Sequence, residues 1–423
     1  MKLPGAVAIV TLLLCYPTAA RADAVLDWNE IAVTTLLTQP PPGVSPYAQA
    51  RFMSIIQLAV FEAVNAIEGD YEPYRGKVVA RPGASVDAAA IAAAYNVLKE
   101  YFPGSAATLK TAYDRSLAAI PDGPAEVNGV ATGESAAAAM IAARAGDGSE
   151  PATYYMPESS DMGVWQMTSA CPESGGINFQ WQKMTPFGIP SAPGSQAWLE
   201  QFLPGPPPDV NSDRYRKDYA EVRRVGSITS NSTDRPADRA DVARFYAVSS
   251  PSLLFNLAAR QVAVAKGTSL SENARALALL NMATSDSLVA SFATKYRYRL
   301  WRPETAIRAG KAKTDPDSSF APFLPTPCFP SYPSNHASGS DSAAEILQRV
   351  YGPGGHAITL ANPAVPGVTL RYTTFKQITD DVDDARVYGG MHFRFDQEAG
   401  AELGRRIATY VYENNLRKAN APK

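Results

Sequence analysis

Residues 329–340 read FPSYPSNHASGS, and this stretch decides how the chain is read. Pro333-Ser334-Asn335-His336 opens a helix that continues from Ala337, with Ser334 in the position of an N-cap. The first amides of a helix lack intrahelical partners and can bind an anion, and a histidine beside them can pass a proton to or from a bound oxygen. Taken alone, the stretch has an ordinary reading as well: a capped helix start with a structural histidine.

Working outward, KYRYRLWRP (295–303) lies upstream and ARVYGGMHFRFD (385–396) downstream. Lys295 and Arg302 are seven residues apart, two helical turns, so they can share a face near a helix end. Pro303 is expected to end that helix and can fix where Arg302 points. Arg386 and His392 flank Gly389-Gly390, and Asp396 follows His392 by one turn. A carboxylate at that spacing can hold one imidazole nitrogen and leave the other as a nucleophile or metal ligand. Singly, these clusters read as a solvated basic face and a surface His–Asp pair. Together they supply three fixed cations, a hydroxyl and two imidazoles, enough to hold a tetrahedral oxyanion. The chain has only three histidines, and two of them are His336 and His392. The third, His356, lies in a Gly/Pro-rich loop and reads as structural. Arg308 reads equally as a supporting residue or as none, and Asp380, Asp381, Asp383 and Asp384 read as a solvated acidic turn that moderates Arg386.

Around these clusters the pattern is mainly α. Ser45-Pro46 opens a helix running to about Ile67, Ser85 caps an alanine-rich helix through Tyr101, and further alanine-rich helices are predicted over 105–120 and 124–145. Their small residues suit a helical bundle with a tight interior. From 150 to 240 Gly, Pro, Ser and Trp recur with little periodicity, which predicts a long irregular wrapping segment with short helices such as 212–225. Helical pattern returns at Ser250-Pro251, at Ser271-Glu272 up to Tyr298, after Ser334, over 373–388 and over 392–416, with one short strand near 367–372.

The N-terminus has a secretion pattern: Lys2, an apolar run from Ala6 to Leu14, and Ala20-Arg21-Ala22 as a cleavage site. Residues 1–22 are therefore assigned as a signal peptide, and 23–423 as one domain with N-terminal helices and wrapping segment over 23–240 and a catalytic core over 241–423. Without residues 1–22 the chain has 37 basic and 41 acidic residues, a formal charge of −4. That balance gives no electrostatic footprint for nucleic acid. No later run of 18 wholly apolar residues occurs, which predicts an exported protein, periplasmic or secreted, without integral membrane association. Cys171 and Cys328 remain as a possible disulfide in an oxidising compartment. It would brace the loop that carries Ser334; the alternative is two separate buried thiols.

The ordered set K-x6-R-P, P-S-x-H and R-x5-H resembles the superfamily that joins vanadium-dependent haloperoxidases to type 2 phosphatidic acid phosphatases and bacterial class A acid phosphatases. The resemblance implies that Lys295, Arg302 and Arg386 bind equatorial oxygens of vanadate or phosphate, and that Ser334 and the Asn335 backbone N–H bind another. It implies that His336 is the acid–base group and His392 the apical vanadium ligand, or the phosphate-accepting nucleophile of a phosphatase. The surroundings WRP, FPxYPS and HFRFD resemble vanadium chloroperoxidases, with Phe329 where those enzymes carry Phe. SPYAQARFMSIIQLAVFEAVNAI (45–67) and RKDYAEVRRVGS (216–227) resemble the bacterial haloperoxidase branch.

By this resemblance the chain is expected to use vanadate as cofactor and to oxidise halide with hydrogen peroxide to hypohalous acid. Lys295 is implied to polarise the peroxide. The first alternative is a soluble exported acid phosphatase acting on a phosphomonoester through a phosphohistidine at His392, and the second is a non-catalytic oxyanion-binding protein. Two positions depart from the pattern: the family's PSGH is PSNH, with Asn335 for Gly, and Ala385 stands where a serine is common.

Overall fold

The computed structural model describes residues 23–40, 43–76, 78–310 and 314–419, so the predicted signal peptide lies outside the described residues. Most of the described chain is helical. The N-terminal part builds α1 (Ala24–Leu37), α2 (Pro46–Glu68), α3 (Val86–Tyr101), α4 (Ala106–Leu117) and α5 (Pro124–Arg144). After a long irregular segment come α6 (Asp213–Val225), α7 (Ala237–Ala247), α8 (Pro251–Lys266), α9 (Leu270–Tyr298) and α10 (Pro303–Ala309). The C-terminal part holds α11 (Asn335–Tyr351), a hairpin of β1 (Gly354–Ala361) and β2 (Thr369–Thr374), then α12 (Phe375–Tyr388) and α13 (Arg394–Asn414).

The serines expected to start helices do so. Ser45, Ser85 and Ser212 each accept a backbone N–H of the first turn. The central helix α9 begins slightly earlier than Ser271, because Ser269 and Glu272 form a reciprocal capping box there. Nearly all of α9 from Ser271 to Tyr296 is buried, and α2, α11 and α13 pack around it. Two helix pairs approach until backbones touch. On α5, a Cβ at Gly129 or Gly133 would run into the carbonyls of Ser85 and Ala89 at the start of α3; on α13, one at Gly400 or Gly404 would strike those of Ser334 and Ser338 at the start of α11. The second contact sets α13 directly against the helix start quoted at the outset.

The irregular stretch between α5 and α6 is ordered over the bundle. Trp165 and Trp181 are buried, and Asp286 on α9 accepts the amides of Phe187 (2.6 Å) and Gly188 (2.7 Å). Cys171 on this stretch is bonded to Cys328, just before the FPSYPS loop. This is the braced arrangement rather than two separate thiols.

Three local expectations need revision: the Gly/Pro-rich loop around His356, the acidic turn, and the helix shared by Lys295 and Arg302 and ended by Pro303. Instead α9 stops at Tyr298, and Pro303 opens α10 behind Arg302. The strand near 367–372 has a partner, since β1 pairs antiparallel with β2 through Ile358↔Tyr372 and Leu360↔Leu370 in what reads as a Gly/Pro-rich loop. His356 lies on that strand, 4.7 Å from the Phe375 ring centroid, and is structural. The acidic run lies on α12 rather than in a turn: Asp381 and Asp384 pair with Arg239, Asp384 also with Arg394, and Asp380 with Lys376, while Asp383 has a buried carboxyl oxygen. Arg308 pairs with Glu304 (2.7 Å) and donates to the Phe320 carbonyl, so its hydrogen bonds serve α10 and the loop beyond it. Both α2 and α9 are long and apolar enough to cross a membrane, but the relevant windows are 83% and 100% buried inside the bundle.

Candidate active site

Lys295 is on the last turns of α9 and is fully buried. Its ammonium donates to the carbonyls of Pro330 (2.8 Å), Ser331 (2.7 Å) and Pro333 (2.5 Å). An ammonium has three hydrogens, so all of them are engaged by the loop, and Lys295 as placed contributes charge and loop shape. Beyond α9 the chain reverses at Arg299, whose φ is 51°, and Arg302 caps α10 with Pro303 in its first turn. The Arg302 Nε donates to the Phe329 carbonyl (2.8 Å), and Nη1 lies 3.0 Å from the Met391 carbonyl and 2.9 Å from His392 Nε2. Phe329 packs against both cations, with Arg302 Cζ 5.0 Å and Lys295 Nζ 5.4 Å from its ring centroid.

The third cluster closes on the first. His392 Nδ1 is 2.8 Å from Asp396 Oδ2, which also accepts from Ser331 Oγ (2.6 Å) and the Phe393 amide (3.1 Å). A guanidinium can only donate, so Nε2 faces Arg302 as an acceptor and Nδ1 carries the proton toward Asp396. This tautomer turns the Nε2 lone pair to the cations, where it accepts from Arg302 Nη1. Ser334 is an N-cap, accepting from the Ala337 amide (3.4 Å), while its own amide donates to the Asp396 carbonyl (2.9 Å). The Asn335 side chain is turned toward the bundle, with Ser291 Oγ donating to its Oδ1 (2.5 Å) and its Nδ2 donating to Tyr47 Oη (2.9 Å). Its backbone N–H stays in the first turn of α11. His336 lies at the edge of the cluster, mostly buried but keeping some exposed surface.

Electrostatically the cluster is unbalanced. Lys295 and Arg302 are fully buried and Arg386 is nearly so, with only the Asp396 carboxylate against them among the described residues at the site. Burial, together with mutual repulsion for Arg386, pushes Arg302 down to about 10 and Arg386 down to about 9. Lys295 is also lowered, by burial first and then by the two arginines. Burial raises Asp396 to about 6 against the pull of Ser331, Lys295 and Arg302. His336 and His392 are both held well below the usual histidine range, by burial first and then by the three cations. Both are neutral near neutral pH and can accept a proton or donate a lone pair.

A tetrahedral oxyanion fits this chemistry. Two buried donors, Arg302 Nη2 and Arg386 Nε, have no partner among the described residues, and an orphaned buried N–H is costly unless an acceptor arrives. Vanadate or phosphate would supply both the acceptors and the missing negative charge.

The three clusters converge, Lys295 included, although its N–H groups are already engaged by the loop, while His356 and Arg308 lie elsewhere. Sequence reading missed Ser331, Ser291 and Tyr47. Ser331 lies within the quoted stretch and shares a spacing with no motif weighed above; Tyr47, 288 residues before Asn335, carries no local signal at all.

Residues 275–421 match the family model described as the VCPO second helical-bundle domain. A solved bacterial vanadium-dependent iodoperoxidase is similar over 94% of this chain and 97% of its own, with TM-score 0.77 and 24% identity. A bacterial vanadium-dependent chloroperoxidase is similar in its apo form (TM-score 0.71, 17% identity, 88% and 94% covered) and its holo form (0.70, 17%, 94% and 98%). No curated protein matches the chain. The family-model match thus covers the C-terminal bundle, about a third of the chain. The chain as a whole carries the helical fold of the bacterial vanadium haloperoxidases.

Proposed function

We propose that this protein is a vanadate-dependent haloperoxidase that oxidises halide with hydrogen peroxide. The observation that carries the reading is three buried cations, two of them with unpartnered N–H groups, around a neutral His392. Vanadate, when bound, would supply Lewis-acid activation of peroxide. Arg302 and Arg386 would bind its charged oxygens, with Lys295 adding field strength through a fixed loop. His392 would offer Nε2 as a ligand, kept in the required tautomer by Asp396 and Ser331. His336 would take a proton from incoming peroxide, which its lowered basicity permits near neutral pH. The Phe329 ring would keep water from the cationic face. A fold shared over both halves with bacterial vanadium haloperoxidases supports this reading over a phosphatase. The Cys171–Cys328 bond supports operation in an oxidising compartment, in line with the predicted export.

The test is peroxide- and bromide-dependent bromination of a phenolic dye by the purified chain, with and without orthovanadate. Activity that needs vanadate, is suppressed by phosphate and is lost in His392→Ala is the expected result. Phosphomonoester hydrolysis with a phosphohistidine at His392, and no bromination, would replace this reading with the acid phosphatase. Anion binding without turnover of either kind would leave an oxyanion-binding protein.

A further inference from the structure

Tyr47 lies in the first turn of α2, on the N-terminal side of the molecule, yet its side chain reaches the anion cluster. Its ring is buried edge-on to Phe292 (centroids 4.5 Å) and to Phe329 (6.3 Å), the same ring that Lys295 and Arg302 flank. The phenolic oxygen accepts a hydrogen bond from Asn335 Nδ2 at 2.9 Å. That bond occupies a lone pair and leaves the phenol's own proton to be placed. Among the described residues no acceptor is assigned to it, while both Arg302 and Arg386 act electrostatically on the hydroxyl. The buried O–H thus lies within electrostatic reach of Arg302 and Arg386, whose Nη2 and Nε also lack an acceptor among the described residues, so one anion can accept from all three.

Asn335 is itself fixed. Ser291 on α9 donates to its Oδ1, which leaves Nδ2 as the group that faces Tyr47. A glycine at this position could not make the contact.

We propose that Tyr47 is an additional donor of the site, its O–H hydrogen-bonding a bound tetrahedral oxyanion, and that Asn335 is the positioning residue that aims it. This rests on reading the cluster as an oxyanion pocket. Burial keeps the phenol protonated, pushing it up to about 12 despite the nearby cations, so the donor is present at working pH. The departure from the family's glycine then has a use: it couples the N-terminal half of the chain to the anion.

The experiment uses the full chain with orthovanadate and, separately, inorganic phosphate, read by calorimetry and by the 51V resonance of bound vanadate. Tyr47→Phe is expected to weaken both anions by about tenfold, the size of a hydrogen bond to a charged group, and to move the 51V signal. Asn335→Gly should weaken them in the same sense by about threefold or more, and the double variant should bind no worse than Tyr47→Phe alone. A folded Tyr47→Phe with unchanged affinity and an unchanged 51V signal overturns the proposal, as does a lowered melting temperature with binding intact. Additive losses in the double variant overturn the role of Asn335. Loss for vanadate but not phosphate overturns a contact common to oxyanions. Failure of the wild type to bind either anion sinks the underlying oxyanion reading together with this one.

Discussion

Two regions of this molecule bury arginines, and they do so to opposite ends. Between α2 and α5, Arg51 and Arg144 meet Asp147 at 2.8 and 3.0 Å, and Arg144 also donates to the carbonyls of Thr185 and Pro186. Its guanidinium lies 3.7 Å from the Phe187 ring centroid, and Asp286 acts on it from α9. Here buried charge is matched within the chain. Between α9, α10 and α12, among the described residues, three cations share Asp396 alone, and Arg302 and Arg386 each keep an N–H without an acceptor. Buried charge by itself is therefore no sign of a site; what distinguishes one is donors left aimed at nothing the chain provides.

The contrast can be broken most strongly at Asp147. Asp147→Ala should destabilise the protein by about 3–5 kcal/mol, since it leaves two buried guanidiniums uncompensated. Chemical denaturation measures this, and a loss below about 1 kcal/mol would remove the distinction. Arg386→Met should do the reverse: stability of the anion-free protein is kept or raised by about 1–4 kcal/mol as a repelling charge is removed. Arg386→Ala should weaken vanadate binding more than His336→Ala does, and equal affinities in the two would contradict that assignment.

Ligand and pH sharpen the same comparison. Phosphate at 100 times its dissociation constant should stabilise the wild type by about 2.7 kcal/mol, seen as a rise in melting temperature that Arg386→Met lacks. The carboxylates should titrate with opposite signs. Burial raises Asp147, but Arg51 and Arg144 outweigh it and hold the group below its ordinary range. Its stabilisation is thus present above about pH 4 and lost as pH falls further, so Asp147→Asn and wild type should converge in acid. Asp396 is raised to about 6, so its contribution is fully present below about pH 4 and lost as pH rises through 6. Asp396→Asn should therefore gain on wild type over that window. Smallest of all, removing the exposed Arg297–Glu200 pair should change stability by under about 1 kcal/mol, because surface cations belong to neither class.

Much of this was readable in the chain. The caps at Ser45 and Ser85 and the small-residue helices announced a bundle, since capping and periodicity are local properties. The clusters around Lys295, Ser334 and His392 do converge, and Asp396 holds Nδ1 as its one-turn spacing implied. The strand β1 was hidden because a Gly/Pro-rich opening resembles a loop until its partner is known. The carbonyls that surround the Lys295 ammonium were hidden too, because main-chain direction in a turn leaves no trace in residue identity. Tyr47 and Ser291 depend on where α2 and α9 pack against α11, a tertiary fact.

The bond between Cys171 and Cys328 also sets how the chain is connected. It closes a covalent ring with 157 residues of sequence separation, which contains Lys295 and Arg302, while Ser334, His336, Arg386 and His392 lie beyond its closing point. A single proteolytic cut anywhere between the two cysteines therefore opens the ring without parting the molecule. The severed pieces, and with them every residue of the anion cluster, stay joined until a reductant is added.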